Sequence, residues 1–389
     1  RVLHVINNLN LGGAEMMLVR LLGRLDRTRW SPHVVSLIGG GPAAERLESI
    51  GVPVTFLGMR RGLPGPVSLV RLLRSVHANS PDLVQTWLYH SDLLGGLATR
   101  LARPGVPLVW NLRMNGPTPG RDKWTTCWTA RASAMLSRWL PERIIVNSQA
   151  GCDVHRGLGY DAGRLEVIPN GFDTDRFVPS LESRLALRRE LGVAVDTRLI
   201  GMAARWDPLK DFETALSAAA AVMARHADVR VVMCGTGVAH DNAELVKLAG
   251  KFGCDQRLHL LGRRGDMPAW QAALDVAFLA SHTEGLPNTV GEAMACGVPC
   301  VVTDAGGSAQ LVGDAGRVVP VGDAGQLAGA IDELLRMTPV QRQRTGDAGR
   351  CRIIEEFSLE RMVERFEQSW ENVLGLPPRQ DHPILEQAA

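Results

Sequence analysis

Cysteine is scarce in this sequence of 389 residues. Seven cysteines are spread along the chain, their number is odd, and no two form a Cys-x-x-Cys pair. This usage argues against a disulfide framework and indicates a reducing compartment without structural zinc. Cys296 and Cys300 lie four residues apart, but they flank a predicted helix end, so we expect no metal there.

Long apolar runs are also missing. None reaches the ~20 residues that a membrane-spanning helix needs, and the chain opens on the strand-like run 2–6 instead of a secretory signal. Because it also lacks an initial Met, we expect the numbering to start inside the natural chain. The sequence predicts a cytoplasmic protein that is soluble or peripheral on the inner face of the cell membrane.

Aromatic residues make up only 5% of the chain, and the net charge is only +2. The charge is unevenly divided. Residues 1–180 contain 21 Lys or Arg and 13 Asp or Glu, a net +8, whereas residues 181–389 contain 22 and 28, a net −6. We therefore expect the first half to face an anionic partner. Nucleic acid is not the predicted partner, because no zinc-finger or RNA-binding signature and no aromatic ladder accompanies the charge.

Hydrophobic residues, at 45%, are plentiful enough for two ordinary cores. Short apolar runs alternate with helical patterns twice along the chain. Strands are predicted at 2–6, 33–38, 52–57, 82–87, 107–112, 143–147 and 165–168, then at 198–204, 229–234, 257–261, 275–280, 299–303 and 316–319. The main helices are predicted at 13–25, 66–79, 91–102, 209–225, 239–252, 266–274, 288–296 and 323–337, with two more over 339–375.

Strands separated by helices are typical of βαβ units with parallel sheets. The predicted fold is therefore α/β, with two doubly wound, Rossmann-like domains that face a cleft and bind ligands beyond the carboxyl ends of their strands. A stretch rich in Pro and Gly near 168–179 marks the boundary. We expect a first domain at 1–179, a second at 180–356, and at 357–389 a helix that packs back on the first domain before a frayed tail.

The strongest motif spans residues 284–299. A buried strand leads into a loop with Glu284, and Pro287 and Asn288 are typical of a helix start. A helix N-terminus suits a diphosphate, and Glu292, about one turn further on, could accept hydrogen bonds from a vicinal diol such as a ribose. The alternative is that both glutamates only stabilise the helix dipole.

A second motif places Arg205 after one predicted strand and Lys210 before the next helix. Two cations at one sheet edge could neutralise a leaving nucleoside diphosphate without a metal, although they could also be ordinary surface cations. Asp173 and Asp175 resemble a metal-binding Asp-x-Asp pair. We interpret them as turn residues instead, since Asn and Gly precede them.

Weaker signals lie elsewhere. The Gly12-Gly13 loop after the first strand allows close backbone approach to a ligand, but it is not a full Gly-x-Gly-x-x-Gly, and Gly235-Thr236-Gly237 lacks the third glycine. A simple dinucleotide dehydrogenase is therefore poorly supported. His90 ends a strand and could be structural or functional. Arg113 follows another strand and could bind an anionic group.

Together these residues resemble glycosyltransferase family four, a group of retaining enzymes with the GT-B fold. The resemblance covers roughly residues 1–375. It is carried by the Glu-x7-Glu element from Glu284 to Glu292 and by the spacing of Arg205 and Lys210. The Gly-Gly-Ala-Glu sequence that begins at Gly12 and the Ile-Pro-Asn-Gly connection match as well.

The resemblance implies that the first domain, 1–179, binds the acceptor and the second, 180–356, the nucleotide-sugar donor. It also implies roles for individual residues. Arg205 and Lys210 would bind the donor diphosphate, Glu284 the sugar hydroxyls and Glu292 the ribose, while His90 would lie near the transferred sugar. The loop with Arg263 would contact the base, largely through its backbone. The implied catalytic residues are Arg205, Lys210, Glu284 and His90. The implied donor-binding residues are Gly13, Arg205, Lys210, Arg263, Glu284, Gly285, Leu286, Pro287, Asn288, Thr289 and Glu292.

The implied activity is that of a retaining, metal-independent hexosyltransferase without a cofactor. It would move a sugar from a nucleotide-diphosphate donor to a cell-envelope glycan or lipid-linked acceptor. Two alternatives stay open. A sugar-nucleotide 2-epimerase on the same fold would release an isomerised nucleotide sugar, and an inactive sugar-nucleotide-binding subunit would bind the donor without turnover.

One basic and aromatic segment, residues 121–143, predicts contact with an anionic membrane surface. Trp124 and Trp128 lie four residues apart, so a helix would place them on one face. The alternative is that the tryptophans pack into the first domain or line an acceptor groove. The residues concerned are Arg121, Lys123, Arg131, Arg138 and Arg143, with Trp124, Trp128 and Trp139.

Overall fold

The computed structural model describes residues 1–59, 66–118, 120 and 122–377. The first domain contains seven parallel strands in the order β3-β2-β1-β4-β5-β6-β7. These strands are β1 (Val2–Ile6), β2 (Pro32–Ser36), β3 (Val54–Phe56), β4 (Leu83–Trp87), β5 (Leu108–Leu112), β6 (Arg143–Val146) and β7 (Leu165–Val167). Strands β1, β4 and β5 are buried along their whole length, which explains their continuous apolar runs.

Helices connect these strands and cover both faces of the sheet, as right-handed βαβ crossovers require. They are α1 (Gly13–Arg24), α2 (Pro42–Ser49), α3 (Pro66–Asn79), α4 (Tyr89–Ala102), α5 (Trp124–Leu136) and α6 (Gln149–Gly157). Two separate groups of buried side chains pack against the sheet, one on each face.

The second domain has six parallel strands in the order β10-β9-β8-β11-β12-β13. They are β8 (Arg198–Ala203), β9 (Val229–Cys234), β10 (Leu258–Leu260), β11 (Val276–Leu279), β12 (Cys300–Thr303) and β13 (Arg317–Val319). The helices of this half of the chain are α7 (Leu181–Glu190), α8 (Phe212–Arg225), α9 (Ala243–Lys251), α10 (Met267–Ala272), α11 (Asn288–Ala295), α12 (Ser308–Val312), α13 (Ala324–Arg336) and α14 (Pro339–Glu356), followed by α15 (Leu359–Leu374), which packs on the first domain.

The predicted fold class is confirmed: two Rossmann-like α/β domains with parallel sheets. The helix predicted from residue 209 is wrong in its first turn. A 3-10 turn occupies Pro208–Lys210, and Asp211 adopts a left-handed backbone with φ +46° before α8 begins. Asp211 also caps α8, because its Oδ1 accepts a hydrogen bond from the Thr214 N–H at 3.1 Å.

Helix α7 was not predicted from the sequence because part of its buried face is charged. Arg188 is 1% exposed, and its guanidinium donates to Asp275 Oδ2 at 2.8 Å. Arg184 reaches the other oxygen of Asp275 at 2.7 Å. A search for apolar periodicity misses a helix that docks in part through an ion pair.

The chain passes between the domains twice, and the two passages contact each other. Phe172 and Ser358 form an isolated parallel bridge, after which α15 leaves the second domain. Phe366 and Trp370 of α15 are fully buried in a core of the first domain, and Trp370 Nε1 donates to Gln85 Oε1 at 2.6 Å. Within the described ranges, no helix combines the length and the apolar character needed to cross a bilayer.

Candidate functional site

The candidate residues lie at two positions, one in each sheet. The strand order reverses between β1 and β4 in the first sheet and between β8 and β11 in the second. Connections on either side of such a switch point leave in opposite directions and open a crevice at the carboxyl edge. Gly13 and His90 follow β1 and β4, whereas Arg205, Lys210 and Glu284 follow β8 and β11.

Lys210 and Glu284 meet at the switch point of the second sheet. The Lys210 ammonium lies 2.5 Å from Glu284 Oε1, and their side chains are 20% and 11% exposed. Ser281 Oγ donates to the same oxygen at 2.7 Å. The sequence predicts that Lys210 binds the diphosphate and Glu284 the sugar hydroxyls, and it gives no signal for Ser281. In this structure each charge neutralises the other.

Asp207 lies between the two predicted cations. Its Oδ2 accepts from Arg205 Nε at 2.9 Å, and its Oδ1 accepts from the Leu209 N–H at 2.9 Å. Partial burial acts to raise the pKa of Asp207, but the Leu209 bond and the charges of Arg205 and Lys210 outweigh it and hold this pKa below its usual value. Asp207 therefore fixes the turn that presents both cations. The Asp-Pro pair of a helix start is the sequence signal for it.

Glu292 is paired across the cleft. Arg20, on α1 of the first domain, donates to Glu292 Oε1 at 2.5 Å, and the two side chains are 15% and 9% exposed. The pair joins residues 272 positions apart. Sequence reasoning did not identify Arg20, because nothing in the pattern of α1 distinguishes it from a solvated cation.

The N-terminus of α11 opens beside these charges. Pro287 precedes the helix, and no side chain caps it. The first N–H groups of a helix have no intrahelical acceptor and carry the positive end of its dipole. This end of α11 can therefore bind an anion between Glu284 and Glu292.

Two glycines allow neighbouring segments to approach the Glu284 loop. A Cβ at Gly285 would lie 2.7 Å from Asn147 Nδ2 of the first domain. Gly306 has φ +57°, and a Cβ there would overlap the main-chain carbonyl of Glu284. A larger residue at either position would displace the loop that carries Glu284.

Asn170 connects three parts of the site. Its Nδ2 donates to the Leu286 carbonyl at 3.2 Å and to Asn288 Oδ1 at 2.9 Å, and its Oδ1 accepts from Arg113 at 3.1 Å. Burial of its guanidinium lowers the pKa of Arg113 to about 9. Arg113 also donates to Ile168 and stacks over aromatic rings. Sequence reasoning treated the connection as a domain boundary and missed Asn170 as a link to the start of α11.

The edges of the two domains approach each other at the site. A Cβ at Gly13 would lie 3.4 Å from Asn288 Nδ2, and Asn115 Nδ2 donates to Thr283 Oγ1 at 3.3 Å. Residues that follow β1 and β5 therefore touch the loop that follows β11. A ligand bound at this loop would be in reach of both domains.

His90 and Arg263 are not joined to the other candidates. His90 is half-buried in the first turn of α4, after Leu88 with φ +70°, and burial lowers its pKa, so its imidazole is neutral at pH 7. Arg263 is exposed, and its neighbour Arg264 is paired with Glu190 at 2.6 Å. The loop of Arg263 packs against the one after β9, because Gly262 accepts a hydrogen bond there.

The Asp-x-Asp sequence lies away from the switch points. Asp173 Oδ1 accepts from the Arg176 N–H at 3.1 Å within a turn, and Arg24 lies 3.7 Å from Asp173 and 3.5 Å from Asp175. In the part of the chain that is described, no three His, Cys, Asp or Glu side chains cluster as metal ligands would.

Of the basic and aromatic segment, Arg121 lies outside the described residues. Trp124, Trp128 and Trp139 are exposed, which argues against their packing into the first domain.

Comparisons with protein families match both halves of the chain. Residues 11–176 match the family described as Glycosyltransferase Family 4, and residues 197–337 match the one described as Glycosyl transferases group 1. The two matches are separated by residues 177–196, which contain α7.

Two relatives carry glycosyltransferase names. EpsF of Bacillus subtilis (strain 168), a protein named as a glycosyltransferase, is 29% identical over 332 residues, which are 78% of this chain and 79% of EpsF. D-inositol 3-phosphate glycosyltransferase of Mycobacterium tuberculosis (strain F11) is 32% identical over 243 residues, 60% of this chain. That match spans about half, 49%, of the mycobacterial protein.

Solved structures share the fold. Anabaena Alr3699/HepE in complex with UDP has a TM-score of 0.83 at 24% identity, covering 96% of this chain and 100% of HepE. Sucrose-phosphate synthase from Thermosynechococcus elongatus has a TM-score of 0.76 at 19% identity, covering 96% and 99%. Both domains and their arrangement are therefore those of known two-domain structures.

Proposed function

The chain belongs to glycosyltransferase family four and has the GT-B fold, and we propose that it transfers a sugar from a nucleotide-diphosphate donor with retention of anomeric configuration. The observation that carries this proposal is the meeting of Lys210, Glu284 and the N-terminus of α11 at one switch point, next to Arg205. Such a site offers positive charge for a diphosphate and a carboxylate for hydroxyl groups. HepE, of the same fold, has been crystallised with UDP and with UDP-glucose.

In the proposed complex the diphosphate lies between Arg205, Lys210 and the start of α11. Lys210 then exchanges the carboxylate of Glu284 for a phosphate oxygen, which frees Glu284 to accept hydrogen bonds from sugar hydroxyls. Glu292 accepts hydrogen bonds from the ribose diol, and Gly13 leaves room for the donor beside Asn288. The loop of Arg263 contacts the base, and the neutral imidazole of His90 hydrogen-bonds the transferred sugar.

The proposed reaction needs no side-chain nucleophile. The bond from the anomeric carbon to the β-phosphate oxygen breaks, and the acceptor oxygen bonds to the same face of that carbon. A phosphate oxygen of the leaving group takes the acceptor proton. The charge that develops on the diphosphate is met by Arg205, Lys210 and the helix N-terminus, and this electrostatic stabilisation is the main contribution to the rate.

The proposed acceptor is a cell-envelope glycan or a lipid-linked sugar. Incubation with mixed nucleotide sugars and cell-envelope lipid, followed by mass spectrometry, is expected to give one glycosylated lipid and one nucleoside diphosphate. The anomeric coupling of the product in NMR is expected to match that of the donor. An isomerised nucleotide sugar would instead identify an epimerase, and donor binding without turnover would identify an inactive subunit.

We also propose that transfer requires no metal, with Arg205 and Lys210 taking the part of a divalent cation. Activity is expected to be unchanged by excess EDTA after exhaustive dialysis. Loss of activity that magnesium or manganese restores would contradict this proposal. Asp173→Asn with Asp175→Asn would then test whether the Asp-x-Asp pair binds the ion.

A further inference from the structure

One face of the first domain exposes large apolar side chains. Of the nine tryptophans in the chain, five are buried and Trp206 is half-buried. The other three are Trp124, Trp128 and Trp139, which are 74%, 60% and 65% exposed. We name this surface the α4–α5 face, and its apolar members are Leu97, Leu101, Trp124, Trp128, Met135 and Trp139. Large exposed apolar side chains concentrated on neighbouring helices point to an interaction site.

The exposed residues form one stripe of α5. At 100° per residue, Trp124, Trp128, Arg131 and Met135 fall within an arc of roughly 60°. The buried residues of α5, which include Ala130 and Ser133, lie on the opposite side against the domain. The stripe therefore points away from the protein, and the neighbouring α4 also exposes two apolar side chains, Leu97 and Leu101.

Positive charge surrounds the apolar stripe. Residues 123–141 contain Lys123, Arg131 and Arg138 but no Asp or Glu. All three cations are exposed, and none is ion-paired with a carboxylate that the structure describes. The Arg138 guanidinium lies 5.3 Å from the centre of the Trp139 ring. Two acidic residues flank this stretch, and both are engaged elsewhere. Asp122 accepts the Thr118 N–H at 2.6 Å, and Glu142 is paired with Arg100 at 2.7 Å.

We propose that the α4–α5 face docks on an anionic lipid bilayer. Tryptophan favours the boundary between headgroups and acyl chains, and unpaired Lys and Arg favour anionic headgroups. A symmetric contact with a second copy of the chain would place the same cations opposite each other, which disfavours that occupant. Charge and apolar character together thus select a negatively charged lipid surface.

The position of the face relative to the cleft fits this role. Both α4 and α5 start at the carboxyl edge of the sheet, where His90 and the loop of Asn115 lie, and run away from it. The α4–α5 face therefore belongs to two helices that begin at the sheet edge where the candidate site lies. This inference rests on the proposed function, since it supplies the route by which a lipid-linked acceptor enters.

The test is sedimentation of the full chain with vesicles. Wild type is expected to pellet with vesicles of equal parts phosphatidylglycerol and phosphatidylcholine at low salt, and high salt is expected to release it. Vesicles of phosphatidylcholine alone should pellet at least tenfold less protein. Equal binding to both vesicles, or binding to neither, would overturn the proposal.

A matched pair of variants locates the contact. Trp128→Ser with Arg131→Glu is expected to reduce pelleting at least tenfold. Leu181→Ser with Arg189→Glu makes the same types of change at exposed positions of α7 and should pellet like wild type. Equal pelleting of both variants would reject the α4–α5 face. A dimer in sedimentation velocity that only the first variant disperses, without any vesicle binding, would identify a second copy as the occupant.

Two further measurements separate this inference from the proposed function. Calorimetry with a nucleoside diphosphate should be unaffected by Trp128→Ser with Arg131→Glu, which would also show that this variant is folded. Vesicle binding by a wild type that transfers no sugar would leave the docking surface standing and remove the proposed activity. Transfer to a lipid acceptor by a protein that does not bind vesicles would support the proposed activity and reject the docking surface.

Discussion

Glu284 and Glu292 belong to the same short segment and are both ion-paired at 2.5 Å, yet their partners lie in different domains. Glu284 is paired with Lys210 inside the second domain. Glu292 is paired with Arg20 of the first domain. Both pairs are similarly enclosed, with side chains between 9% and 20% exposed.

The two pairs therefore differ in whether they depend on the arrangement of the domains. The Lys210–Glu284 pair joins loops after β8 and β11 of one sheet, so it persists however the domains are arranged. The Arg20–Glu292 pair exists only when the domains are close together. In the proposed complex the diphosphate displaces Glu284 from Lys210, and the ribose displaces Arg20 from Glu292. Occupancy of the ribose site is therefore coupled to the contact between the domains.

The largest expected effect concerns the pair inside the second domain. Lys210→Ala, and likewise Arg205→Ala, should lower the transition-state stabilisation by about 3 kcal/mol or more, which is roughly a 150-fold loss in kcat/KM. The reason is that each removes charge from the leaving diphosphate. Steady-state kinetics measures the loss, and thermal unfolding should show a far smaller change.

Lys251→Ala is the matched control for Lys210→Ala. Lys251 is paired with Glu213 at 2.6 Å, but both side chains are 61% exposed. Such a surface pair contributes about 0–1 kcal/mol to stability and nothing to the chemistry. If Lys210→Ala keeps activity within about threefold of Lys251→Ala, Lys210 does not stabilise the leaving group.

The second prediction divides the roles of the two glutamates. Glu292→Ala should weaken binding of the bare nucleoside diphosphate about tenfold, or about 1.4 kcal/mol, through the lost hydrogen bonds to ribose. Glu284→Ala should leave that affinity intact or improve it, since Lys210 is then free for phosphate, while kcat falls. Isothermal calorimetry and steady-state kinetics measure the two quantities. Equal losses of affinity in both variants would end the distinction.

The sequence predicts most of the fold and one side of the site. Strands β1, β4 and β5 are buried along their whole length, so their apolar runs are visible without any partner. Glu284, Glu292, Arg205 and Lys210 are recognised because their spacing is local. The residues that contact this segment from the first domain are not recognisable in the sequence. Arg20 and Asn170 act on residues more than a hundred positions away, and nothing in their own neighbourhood encodes that contact.

The smallest expected effect tests the pair across the cleft. Arg20→Ala should tighten binding of the bare nucleoside diphosphate by up to roughly fivefold, about 1 kcal/mol, because the ribose no longer has to displace a cation from Glu292. In a Glu292→Ala background the same substitution should change the affinity by less than about twofold, since the pair is already lost. Small-angle scattering of the donor-free protein should show a larger radius of gyration for Arg20→Ala but not for Lys210→Ala. Weaker nucleotide binding by Arg20→Ala would contradict this displacement and would mean that Arg20 remains on Glu292 or binds the nucleotide itself.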